Sequence, residues 1–483
     1  MRHYREIVQL ATPIAGIQLA QVALTSTDLL MMGLINVEAV AAGGLAILLY
    51  NQIRTMCVGM VTSVGNLVAA SVARSEKRTG SPIPDAISAE EVKDLLRASL
   101  LLGMIVSLCA GTILLIAGQL LAFAGQDVGV TSLAKPILAT LAPGLLPMLW
   151  LNVLRQFSVG MRRAGSLLTV TIVSIGVNAL LDAAFVYGWL GIPRMGLAGI
   201  GLATTSVQGW TFIVYLRMIR RDRVLRPLLA LDGWNAPWST VVLIARTGTP
   251  IALTYGSEAA ITSIATVFMG TFGPVALAAS NIVNQLAYLA YQLNIGLSQG
   301  SSILVSRAMS KGEHSEIAAI ARQTLAISAS LMFLLGLLYI FVPQVVLRPF
   351  LGMHADPSVT AAASILLWFA IAHQLLKGSQ NICIGLLRGL GNTKTGLISA
   401  LVGYWLVGIP AMALLAFGAG RKGPGVWSGL CVGFGVTSIL LWQRFRRDLS
   451  AARRRKDEPT YHHQLIKREA GSADAHAHQK IPS

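Results

Sequence analysis

Apolar residues fill this chain in runs long enough to cross a bilayer, and polar residues gather in short breaks between them. About twenty apolar residues span the hydrocarbon core as an α-helix. The pattern therefore predicts an all-α, polytopic membrane protein. Twelve helices are expected, over residues 7–33, 39–73, 92–124, 130–157, 165–189, 196–220, 240–271, 275–309, 316–350, 357–388, 394–418 and 424–446. The first run follows Arg2 and Arg5 like a signal peptide, but it is too long for a signal h-region and reads as an uncleaved span. Ser88 and Glu91 have the spacing of a capping box at the head of the third helix.

The breaks alternate in charge. One set carries Arg74/Lys77/Arg78, Arg162/Arg163, the arginines from Arg217 to Arg226, Arg307/Lys311, Arg388/Lys394 and Arg444/Arg446/Arg447. The other carries Asn36/Glu38, Asp127/Lys135, Arg194, the Gly273–Pro274 turn, Arg348 and Arg421/Lys422. The positive-inside rule makes the first set cytoplasmic. A multi-pass protein of the cell's inner (plasma) membrane is expected, with both termini in the cytoplasm.

The halves repeat. Thr12-Pro13-Ile14-Ala15 recurs as Thr249-Pro250-Ile251-Ala252, an offset of 237. At that offset Gly33 meets Gly270, Ala41-Ala42 meets Ala278-Ala279, Gly59 meets Gly296, and Leu67-Val68 meets Leu304-Val305. Six spans separate the copies, so both enter the membrane from the same side as parallel repeats. The expected layout is two pseudo-symmetric six-helix lobes around a central cleft. Residues 1–220 form an N-lobe, 221–238 a cytoplasmic linker, 239–446 a C-lobe and 447–483 a basic, disordered cytoplasmic tail. Pro13 and Pro250 are candidate hinges, because a proline inside a helix removes one backbone hydrogen bond.

Composition narrows the class. Hydrophobic residues make up 54% of the chain and charged ones 12%, with a mean hydropathy of +0.64. That is too little charge to cover a soluble protein of this size. The net charge of +17 is expected from cytoplasmic loops and a basic tail, and no aromatic-interleaved basic fold suggests nucleic acid. Cys57, Cys109, Cys383 and Cys431 lie in apolar runs without CxxC spacing, so no zinc site or disulfide framework is indicated. The tail histidines His462, His463, His476 and His478 match no defined metal site. No nucleophile–base motif or phosphate-binding loop appears, so an enzyme is not expected.

The chemistry lies in polar residues within the apolar runs, where a charge is costly and stays only if paired, solvated or useful. Asp28, Arg54, Asp182, Glu258 and Lys377 are the deep candidates. Asp28 and Asp182 lie about five and seven residues from the outer ends of their helices, within roughly one turn of the same depth. Asn178 shares a helix face with Asp182, and Thr204 falls at similar depth. Two carboxylates, an amide and a hydroxyl make a hard-oxygen site suited to Na⁺ or a shared proton. Glu258 has Gln21 as its repeat partner, and Lys377 sits roughly 16 Å from the cytoplasmic end of the tenth helix. Arg54 is read as deep but not level with Asp28, in a structural ion pair or water contact.

These residues match a family. ATPIAGIQLAQVALTSTDLLMMG resembles the first span of the MATE (multidrug and toxic compound extrusion) transporters, NorM-like bacterial type. NALLDAAFVYG with GLAGIGLATT resembles the fifth and sixth spans, GTPIALTYGSEAAI the seventh, and LLRGLGNTKTG with YWLVGIP the end of the tenth and the eleventh. The resemblance covers about residues 7–446. It implies efflux of small organic, often cationic amphipathic compounds, driven by Na⁺ or H⁺ entry, with no cofactor beyond the coupling ion. Asp28, Asn178, Asp182 and Thr204 would form the coupling site, with any Na⁺ at Asp28 and Asp182. Glu258 would be the C-lobe acid of a substrate or charge site with His373 and Lys377. There the sequence departs from the family, which places an aspartate in the tenth span after an aromatic residue. A monomer in the lipid bilayer is expected. The rival readings are a lipid-linked oligosaccharide flippase or polysaccharide exporter of the same broad superfamily and, further off, a receptor or channel.

Overall fold

The computed structural model describes residues 2–35, 37–121, 128–163, 165–191, 193–351 and 357–457. Among them there is no strand, and twelve long helices account for almost everything. They are α1 (Arg2–Gly33), α2 (Val37–Val61 continued by Val64–Thr79), α3 (Ala86–Leu120), α4 (Val128–Leu141 continued by Leu145–Gly160), α5 (Gly165–Tyr187) and α6 (Leu197–Arg221). The second six are α7 (Trp238–Gly270), α8 (Pro274–Lys311), α9 (His314–Phe341), α10 (Pro357–Gly389), α11 (Lys394–Gly418) and α12 (Lys422–Asp457).

The boundaries differ from expectation where local chemistry overrides hydropathy. α2 is interrupted at Thr62–Ser63 and runs on to Thr79. The ninth span ends at Phe341, and a separate short helix, Pro343–Leu351, follows. α3 starts at Ala86, not 92. Asp85 caps it by accepting the Ser88 amide N–H at 2.9 Å, while Glu91 instead pairs with Arg74 and Ser71. The expected Ser88–Glu91 capping box is therefore replaced by an aspartate cap. α12 extends through Asp457, beyond the predicted end at 446. The histidines of the tail, along with Asn36 and Asp127, lie outside the described residues.

Eleven of the twelve helices are long and apolar enough to cross a membrane; α8 is the exception. Its last turns bury Gln292, Asn294, Ser298, Gln299, Ser301, Ser302, Ser306 and Arg307. A helix surrounded by protein need not present an apolar face to lipid. α8 is wrapped by α1, the second part of α2, and α10. Small polar residues let these backbones come close. Ser298 Oγ donates to the Asn381 carbonyl of α10 at 2.7 Å, and Asn66 of α2 donates to Ser302 Oγ at 2.8 Å.

The two lobes meet through pairs related by the sequence repeat. A Cβ on Gly59 would fall 2.6 Å from the Ala252 backbone, and one on Gly296 would fall 2.7 Å from Ala15. Gly59 and Gly296 are repeat partners, as are Ala15 and Ala252, so one contact is the image of the other. The same symmetry exchanges the opening turns of the lobes. Ile7, Leu10, Ala11 and Ile14 of α1 are buried in a core built mainly from α8, α9, α10 and α12. Val241 and Ile244 of α7 are buried in the core of α2 to α6. Ile7 and Ile244 are again 237 apart. Pro13 and Pro250 stand where each helix passes from one core to the other, and α1 and α7 run unbroken through them.

Candidate functional site

Four polar side chains converge inside the first lobe. α1 brings Asp28, α5 brings Asn178 and Asp182 one turn apart, and α6 brings Thr204. The Asn178 amide donates to Asp28 Oδ1 at 2.6 Å and to Asp182 Oδ2 at 2.8 Å. Thr204 Oγ1 donates to Asp28 Oδ2 at 3.1 Å. Asp28, Asn178 and Asp182 are buried, and Asp182 Oδ1 has no protein partner. One amide thus bridges two carboxylates inside the helix bundle. Any bound cation or proton would lower the repulsion between them.

The cluster opens on a cavity of about 50 Å³ lined by Gln21, Thr25, Asp28, Tyr50, Asn51, Arg54, Asn178, Thr204 and Gln208. A site needs on the order of 10–15 Å³ of such space for one water, so this cavity is large enough for a small ion with part of its shell. Arg54 lies on the same cavity, which runs along α1 from Gln21 to Asp28. Among the described residues no carboxylate lies within ion-pair distance of Arg54.

Sequence reasoning missed Gln21, Thr25, Tyr50, Asn51 and Gln208. Their signal was helical spacing. Gln21, Thr25 and Asp28 fall on one face of α1, Asn51 and Arg54 on one face of α2, and Thr204 and Gln208 on one face of α6. It also missed Arg155 of α4, which is buried and donates to Gln18 Oε1 at 3.2 Å.

The second lobe holds a different constellation. Glu258 of α7 and Lys377 of α10 form a mostly buried ion pair at 3.1 Å. The Lys377 Nζ stands 4.3 Å from the centre of the Tyr291 ring and 5.2 Å from that of Phe434. His373, one turn before Lys377, meets Trp427 and Phe434 edge-on, with ring centres 5.6 and 4.9 Å apart. The three residues expected together are therefore one cluster, and it is separate from the four of the first lobe.

Bonds between the lobes gather toward one end. Gln52 donates to the Gly256 carbonyl at 3.4 Å, Ser63 meets Thr247 at 3.1 Å, Asn66 meets Ser302, Ser306 donates to the Asn66 carbonyl at 2.9 Å, and Glu76 pairs with Arg307 at 2.6 Å and Lys311 at 2.8 Å. All use α2 from Gln52 onward, toward the membrane face that carries the start of α1 and the end of α12.

Twelve helices in two repeat-related lobes, each with buried charge, define a multi-pass membrane transporter. The chain belongs to the MatE family, whose sequence model matches residues 84–184 and 250–414. It is 34% identical over 450 residues to the probable multidrug resistance protein NorM of Pseudomonas aeruginosa, covering 92% of this chain and 90% of that one. It is 31% identical over 453 residues to the NorM protein of Brucella suis, covering 92% and 94%. Among solved structures, a multidrug resistance MATE family transporter of the MOP superfamily in an outward-facing conformation superposes with a TM-score of 0.82 at 17% identity, covering 93% of this chain and 96% of that one. A MOP superfamily transporter from Pyrococcus furiosus, described as having a binding pocket of reverse polarity, gives 0.81 at 18% identity, covering 93% and 97%.

Proposed function

We propose that the protein exports amphipathic organic compounds across the inner (plasma) membrane by alternating access, in exchange for H⁺ or Na⁺ moving inward. The observation that carries this reading is the pair of buried carboxylates bridged by Asn178 on a polar cavity. Asp182 Oδ1 there is left without a protein partner, as a group awaiting an ion or proton would be, and the chain's NorM relatives are named for multidrug resistance. The positive-inside rule puts the face bearing the chain's basic loops in the cytoplasm. The bonds of Asn66, Ser302, Glu76 and Arg307 then close the cytoplasmic side, and the arrangement is outward-facing.

In this scheme a cation enters from outside and settles between Asp28 and Asp182. It offsets their repulsion and favours the lobe arrangement in which cargo is released. Loss of the cation to the cytoplasm resets the cycle. A ligand shifts such an equilibrium only through its different affinity for the two states. Here that difference comes from how well each state surrounds the two acids with donors. Pro13 and Pro250, at the crossings between the cores, are where α1 and α7 flex.

Everted vesicles with H⁺ and Na⁺ gradients imposed separately test the scheme. Gradient-dependent accumulation of a zwitterionic amphipathic fluorophore by the wild-type protein, lost in Asp28→Asn with membrane insertion retained, is the expected result. Undiminished accumulation by Asp28→Asn would remove the coupling site. A second reading, a flippase or exporter of lipid-linked or polymeric glycans, draws on the buried Arg155 and the largely covered Lys377. Loss of surface glycan with unchanged export of the zwitterionic fluorophore on deletion would favour it.

A further inference from the structure

The second lobe holds a positive nitrogen of its own in surroundings that suit an organic cation. Lys377 Nζ touches one carboxylate oxygen, Glu258 Oε1, at 3.1 Å and faces the rings of Tyr291 and Phe434. A carboxylate with two aromatic faces around one ammonium is the arrangement that recognises alkylammonium and quaternary ammonium groups. The enclosure is also unsaturated. Glu258 is 6% exposed and its Oε2 is left without a partner, and His373 is 5% exposed and its Nδ1 has none. Buried polar atoms are nearly always paired, so two orphans in one cluster mark groups that a ligand or water completes.

We propose that Lys377 is the resident occupant of a cation-recognition site made by Glu258, Tyr291 and Phe434, and that it thereby sets the charge of the cargo this lobe accepts. The proposal deepens the export reading and rests on it for the word cargo, but not for the site. An incoming compound with a fixed single positive charge must displace the ammonium from Glu258. That strands a second charge in a mostly buried place, which is strongly unfavourable. A neutral amphipath leaves the pair intact. A zwitterion replaces both halves of it, its cation on Glu258 and its anion on Lys377. The wild-type lobe therefore selects against fixed monocations and admits neutral and zwitterionic amphipaths.

The test is equilibrium binding of tetrabutylammonium to the purified full-length protein in detergent. Lys377→Met keeps the length of the stem and removes the ammonium while leaving the Glu258 carboxylate. It is expected to bind the probe at least tenfold more tightly than wild type, and Lys377→Met/Glu258→Gln is expected to lose that gain. Equal binding by wild type and Lys377→Met overturns the proposal, as does a gain that survives in the double variant. Should Lys377→Met fail to fold, Lys377→Gln is read by the same criteria. Binding in detergent needs no ion gradient, so an Asp28→Asn variant that still exports would end the coupling scheme and leave this result standing.

Discussion

The two lobes place different chemistry on corresponding helices. In the first, Asp28 and Asp182 face a polar cavity and are held by an amide and a hydroxyl. In the second, Glu258 is held by an ammonium fixed to the chain. The repeat makes the contrast sharp. Gln21, on the first cavity, corresponds to Glu258; Arg54, on the same cavity, corresponds to Tyr291; and Asp28 corresponds to Ala265, buried in the second lobe's core. Gene-scale symmetry has preserved the frame, while charge has moved from one side of the pseudo-axis to the other. An acid whose counterion can leave is suited to coupling. An acid whose counterion is tethered is suited to filtering by charge.

Substitutions can break this contrast, and the largest effect is expected at the first site. Asp28→Asn removes one of the two carboxylates and should reduce gradient-driven export to background, with normal membrane expression by immunoblot. Asp182→Asn should do the same. Next comes the tethered pair. Glu258→Gln leaves Lys377 buried without its partner, and breaking such a pair costs about 3 kcal/mol or more. Thermal unfolding in detergent should show it, and Glu258→Gln/Lys377→Met should recover most of the loss. If the double variant is no more stable than Glu258→Gln alone, the two groups are not an energetic pair.

A wedge between the lobes should do less. Gly59→Val forces atoms into the Ala252 backbone, and overpacking of this kind costs about 1–3 kcal/mol. Cysteines placed at Asn66 and Ser302 should cross-link readily in the parent and more slowly in the Gly59→Val background. The smallest effect lies outside the membrane. The Ser88 backbone N–H, and then the Arg78 guanidinium, hold the Asp85 carboxyl down to about 2, against an ordinary 3.8. A depressed carboxyl stabilises the fold above its unfolded value, and that contribution fades as pH falls from near 4 toward 2. Hydrogen exchange in the first turn of α3 should quicken over that window in the parent and be fast throughout in Asp85→Ala.

Helix number, the internal repeat and the four-residue cluster were legible because each follows from a fixed period. A rise of 1.5 Å per residue converts position into depth, and that sufficed to level Asp28 with Asp182 and Thr204. The place of Arg54 on the cavity was not legible, because a long side chain carries its charge well away from its own Cα along the helix. The polarity of α8 was readable, but its meaning was not, since only packing shows that protein surrounds it. The aspartate cap at Asp85 and the pairing of Glu91 with Arg74 likewise depend on which neighbour arrives first.

Most of all, the swap of Ile7 and Ile244 between cores has no signature in either helix alone. Its consequence concerns biosynthesis. The first half leaves the ribosome with a gap where Val241 and Ile244 belong, while its own leading turns have nothing yet to lie against. Folding must therefore stay open until α7 has been inserted, and a chain cut between α6 and α7 should give two fragments that mature only when made together.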